Sequence, residues 1–101
     1  MRLTPFERDT LKQAAQSSFE PGVLVRLFGS RVDDSRRGGD IDLLMETQWS
    51  DPARIAAAHT RFLAMVYARL GEQKVDVLMD YPSRQQPPAI FEVAKREGVL
   101  L

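Results

Sequence analysis

Apolar and polar positions alternate along the chain with periods that change every ten to twenty residues, and each change carries a local signal. Thr4, Pro5 and Glu7 combine an N-cap, a proline at the first helical position and a capping-box glutamate, which predicts a helix over residues 5–17. Glu20-Pro21-Gly22 breaks it. Residues 23–28, apolar except for Arg26, then read as a strand covered on both faces, and Gly29-Ser30 ends it. Residues 31–39 are polar and glycine-terminated, the pattern of a loop or a single helical turn. Residues 40–46 form a second strand.

Ser50-Asp51-Pro52 marks another helix start, and Ile55, Phe62, Leu63, Val66, Tyr67 and Leu70 recur at helical spacing until Gly71 supplies the stop. Residues 74–79 alternate around Val75 and Val77, predicting a third strand with Asp76 interrupting its apolar run. A proline-punctuated loop over 81–88 leads to a last helix over 89–97, with Ile90, Phe91, Val93 and Ala94 facing inward and Gly98 closing it.

At 101 residues with 44% hydrophobic composition, the chain can bury about two thirds of its unfolded surface in one core but not in two, so a single domain over 1–101 is expected. Lys plus Arg and Asp plus Glu each number 14. That balance gives no argument for direct nucleic-acid binding or for a membrane surface. The absence of cysteine excludes disulfides and thiolate metal sites. The N-terminal residues carry charge where a signal peptide has its apolar stretch, and no apolar run approaches the ~20 residues that span a bilayer. The expectation is a cytoplasmic protein with no membrane function.

Chemistry enters with the acids. In a strand, residues i and i+2 share a side, so Asp40 and Asp42 project together, roughly 6–7 Å apart along the chain, while Ile41 turns inward. Asp76 stands on another strand beside apolar neighbours. Acids so placed need a partner, and magnesium accepts a few carboxylates together with substrate phosphates. Gly29-Ser30 adds a tight turn whose N–H groups can approach an anion, with the Ser30 hydroxyl as a further donor. The plain alternative is that Asp40 caps a turn and Asp42 pairs with Arg37 or Arg26.

Phe28-Gly29-Ser30-Arg31, the nine-residue spacer, Asp40-Ile41-Asp42-Leu43-Leu44, Val75-Asp76-Val77 and the closing Arg96-Glu97-Gly98-Val99-Leu100 together resemble the minimal nucleotidyltransferases, the smallest branch of the DNA polymerase beta-like nucleotidyltransferase superfamily. The resemblance implies an α/β (α+β) chain with a mixed three- to four-stranded sheet flanked by helices. It also implies transfer of a nucleoside monophosphate, AMP from ATP, to an acceptor hydroxyl. By matching positions, Asp40, Asp42 and Asp76 would be the catalytic acids and would hold two Mg2+ ions. Asp76 would help deprotonate the acceptor, and Gly29 and Ser30 would hold the nucleotide's phosphates. The spacer begins Arg31-Val32-Asp33-Asp34, where the family's commonest form reads Arg-Ala-Arg-Gly.

Larger members carry a second domain that presents the acceptor, whereas only one short helix follows the third strand here. The resemblance implies two substitutes: a second copy in a homodimer, or a small helical HEPN-type partner for which this chain is the antitoxin of a toxin-antitoxin pair. Two other functions stay open, a non-catalytic module that neutralises its partner by contact and a transferase acting on a small molecule or an RNA end. Arg31, Arg36 and Arg37 either neutralise phosphate charge or answer Asp33 and Asp34 in a solvated loop. His59 is expected at a surface or in packing, and Trp49 at a core edge or as an interface anchor.

Overall fold

The computed structural model describes residues 3–32, 39–71, 73–84 and 86–101, without the side chain of Ser30. The first helix, α1 (Pro5–Ser18), begins as its cap chemistry dictates. The Thr4 Oγ1 accepts from the Glu7 N–H at 3.0 Å, and the Glu7 carboxylate accepts from the Thr4 N–H at 2.8 Å. Strand β1 (Leu24–Phe28) runs into a 3-10 turn over Gly29–Val32, and strand β2 (Ile41–Glu46) returns antiparallel to β1. Helix α2 (Pro52–Leu70) starts at Asp51, whose carboxylate accepts from the Ala53 N–H, and stops at Gly71. It carries the chain back to strand β3 (Val75–Asp80), which pairs parallel to β2. Helix α3 (Ala89–Glu97) and the two-residue strand β4 (Val99–Leu100) complete the order.

The architecture is α+β: among the described residues, three helices and one mixed sheet in the order β3-β2-β1-β4. Alternation assigns the faces. Val25, Leu27, Ile41, Leu43, Met45 and Val75 turn to one side and pack under α1 and α2, against Leu11, Ala14, Ala15, Ile55, Ala58, Phe62 and Val66. The opposite side carries a smaller apolar cluster in which Phe91 and Ala94 of α3 cover Leu44, with Phe28 and Leu78 at its rim. A buried polar tie fixes the chain between α1 and β1: the Glu20 carboxylate accepts from the Thr47 hydroxyl at 2.7 Å and from the Gln48 N–H at 2.8 Å. Among the described residues, no helix is long and apolar enough to cross a membrane.

Three expectations need correction. β1 is not covered on both faces: Val25 and Leu27 are buried, but Leu24 is 41% exposed, because the nine-residue α3 covers Leu44 and leaves that end of β1 bare. Ile90 does not face inward: it is 44% exposed, in the first turn of α3, whose buried residues are Phe91 and Ala94. Asp40 stands just before β2 rather than within it, as β2 opens at Ile41.

Strand β3 lies at the edge. The Ile41 N–H donates to the Lys74 carbonyl and the Thr47 N–H to the Asp80 carbonyl, so even-numbered carbonyls of β3 face β2 and odd-numbered ones face outward. Two outward carbonyls have side-chain donors: the Tyr67 hydroxyl at 3.5 Å from the Val75 oxygen, and the Arg84 guanidinium at 3.2 Å from the Met79 oxygen. That guanidinium also lies 4.9 Å from the ring centres of both Tyr81 and Phe91.

Candidate functional site

Parallel pairing of β2 with β3 sets Asp42 opposite Asp76, so both carboxylates leave the sheet on the face that α3 partly covers. One step further along this face the paired residues are Leu44 and Leu78, both in the apolar cluster under α3. The acids therefore stand beyond the part of this face that α3 covers. Asp40 adds a third carboxylate at the start of β2, while Ile41 between the two acids is fully buried.

Electrostatics shows that the three charges are felt together. The Asp42 carboxyl is raised above the ordinary carboxylate value, first by burial and then by repulsion from Asp76 and Asp40, with Lys74 acting in the opposite sense. Lys74 precedes Asp76 by two residues and reaches across the site. Its Nζ is 3.5 Å from an Asp40 oxygen and 3.9 Å from an Asp76 oxygen. Sequence reasoning missed this residue, although its spacing from Asp76 was the signal: i and i+2 share a side of a strand.

Among the described residues, no three potential ligands converge closely enough to hold a metal ion as they stand. The donor chemistry fits one nonetheless: three hard-oxygen carboxylates stand at one end of the sheet. The pairing alternative for Asp42 is not realised with Arg26, whose guanidinium donates instead to Glu46 at 2.8 Å. Lys95 of α3 joins that second ionic group, 2.8 Å from Asp80 and 3.5 Å from Glu46, well along the strands from the three acids.

The turn after β1 is shaped by Asp42. Gly29 adopts φ +76°, and the space a β-carbon would take there is filled by the Asp42 side chain, whose Cγ would lie 3.2 Å away. Only glycine meets both conditions. The strand register explains the contact, because Phe28 faces Asp42 across the antiparallel pair and Gly29 follows immediately. Gly29 and Asp42 thus meet, and the Ser30 side chain lies outside what the structure describes. Asp33, Asp34, Arg36 and Arg37 lie outside the described residues.

Arg31 is oriented by its surroundings: its Nε donates to the Gly39 carbonyl at 3.3 Å, and a terminal nitrogen lies 4.0 Å from Glu7. It ties the two ends of the 31–39 segment together and both to α1. His59 is half-buried on α2, and burial lowers its pKa, consistent with packing. Trp49 sits at a core edge, its ring centre 5.6 Å from that of Phe19 and the Arg54 guanidinium 3.7 Å above it. No protein-family model matches the chain, and no curated protein matches it.

Proposed function

We propose that this chain is a magnesium-dependent nucleotidyltransferase of the polymerase beta-like kind, moving a nucleoside monophosphate from a triphosphate, AMP from ATP, to an acceptor hydroxyl. The observation that carries the reading is the in-register pair Asp42 and Asp76 beside Asp40, with Asp42 seated against the Gly29 turn. In the reaction, the acceptor oxygen bonds to the α-phosphorus, the bond from that phosphorus to the β-phosphate bridging oxygen breaks, and pyrophosphate leaves. Asp76, the half-exposed acid on the edge strand, takes the acceptor's proton on a carboxylate oxygen. Asp40 and Asp42 would hold Mg2+ with Asp76, and the bound cation supplies charge that offsets the phosphates. Gly29 leaves room at the turn for main-chain N–H groups to meet the phosphate tail.

The acceptor comes from the resemblance alone: a hydroxyl of a small helical partner protein, with this chain as the antitoxin. A second reading, a module that acts by contact, is favoured by Lys74, which already meets two of the three acids. Calorimetric titration with ATP, with and without magnesium, tests the first. Binding that requires magnesium and is nearly lost in Asp42→Asn supports it, and nucleotide binding untouched by Asp42→Asn would falsify it. Transfer is read as the added mass of AMP on the partner. If Asp40→Asn and Asp42→Asn leave protection of the partner unchanged, the contact module stands instead.

A further inference from the structure

We infer that Lys74 is a resident counter-ion that competes with a divalent cation for Asp40 and Asp76, so that the site resists loading by free metal. The inference rests on the nucleotidyltransferase reading of the same acids and says how their occupancy is regulated. Three observations carry it. The Lys74 ammonium is the group that approaches both Asp40 and Asp76, at 3.5 and 3.9 Å, from a side chain that remains 67% exposed and therefore free to leave. Its backbone is fixed, because the Ile41 N–H donates to the Lys74 carbonyl at 3.1 Å and anchors it at the head of the β2–β3 pair. The other ionic group on this face satisfies itself: Arg26 and Lys95 engage Glu46 and Asp80, so among the described residues Lys74 is the cation that meets Asp40 and Asp76.

A divalent cation held by Asp40 and Asp76 would need carboxylate oxygens that the ammonium now contacts. Both lysine contacts are exposed and longer than a good hydrogen bond, so each is weak and the competition is modest. Removing the ammonium takes away a positive charge that acts on all three acids, which makes the site a stronger trap for a divalent ion.

The test is manganese binding to the full chain without nucleotide, followed by the loss of the free-ion paramagnetic resonance signal. Lys74→Gln is expected to bind manganese about two- to fivefold more tightly than the unsubstituted protein, the size that exposed ion pairs can exert. Lys12→Gln, which removes the same charge from α1, is expected to leave the affinity unchanged. In a thermal melt, magnesium should raise the midpoint of Lys74→Gln more than that of the unsubstituted chain. Equal or weaker manganese binding by Lys74→Gln overturns the counter-ion role while leaving the site reading intact, provided Asp42→Asn abolishes the binding. An equal gain in Lys12→Gln overturns it too, as that is bulk charge. Manganese binding that survives Asp42→Asn, or no saturable binding even in Lys74→Gln, removes both the inference and the reading beneath it.

Discussion

Replacing Gly29 by alanine tests the geometry of the site through stability, without any ligand. Two costs add at that position. The φ of +76° places an L-residue in left-handed backbone, worth about 1–2 kcal/mol. The new methyl also enters space held by the Asp42 carboxylate, and forcing that acid aside costs about another 1 kcal/mol, the low end for overpacking because a side chain rather than backbone must yield. The sum, about 2–3 kcal/mol, lowers the melting midpoint by roughly 10–20 °C in a chain of this size. A double-mutant cycle separates the parts. In an Asp42→Ala background the obstructing oxygens are gone but the backbone cost stays, so Gly29→Ala should cost about 1 kcal/mol less there than in the unsubstituted protein. Urea denaturation of the four proteins gives the coupling. Additivity within about 0.3 kcal/mol would mean that Asp42 does not occupy the turn, and the site as described would be wrong.

Asp42→Asn should be more stable than the unsubstituted chain at pH 7, by a margin that shrinks toward pH 3. The raised pKa means that Asp42 favours the fold below its unfolded value of 3.8 and opposes it progressively as pH rises through the higher folded value, a loss that asparagine does not suffer. Melting midpoints at the two pH values decide it, and a margin that is absent or grows in acid refutes the assignment. Glu20→Ala removes the acceptor of the buried Thr47 hydroxyl and should cost about 1–3 kcal/mol in urea denaturation. Most of that cost should disappear when Thr47→Val is added, and an unchanged cost in the double variant would show that the tie is not what Glu20 contributes.

The helices were legible because their signals are local. Thr4, Pro5 and Glu7 or Asp51 and Pro52 act within one turn, and α2 runs between the residues that mark its limits. The acids were legible as types, but Asp40 falls just before β2, and the register that sets Asp42 against Asp76 depends on a parallel pairing closed by all of α2, which no short pattern encodes. Lys74 shares a side of β3 with Asp76, but its role also needs Asp40, which the β2–β3 pairing brings up from just before β2. Strand β4 is too short to show a period and exists because β1 offers it hydrogen bonds at Arg26 and Leu27. Whether Leu24 and Ile90 would be covered turned on where a nine-residue helix settles, and both stayed exposed. Glu20 and Thr47 carry no sequence signal at all, being a polar pair joined across twenty-seven positions.

The rim of β3 has one more consequence. A six-residue strand with a bare outer side invites a second molecule to zip alongside it, the usual route from an open sheet to aggregates. Here Tyr67 and Arg84 each claim one of the carbonyls such a neighbour would need, at 3.5 and 3.2 Å, on either side of the Val77 carbonyl. On the strand that carries Asp76, two rungs of the open edge are thereby already taken by the protein's own side chains, which weakens it as a template for an incoming strand.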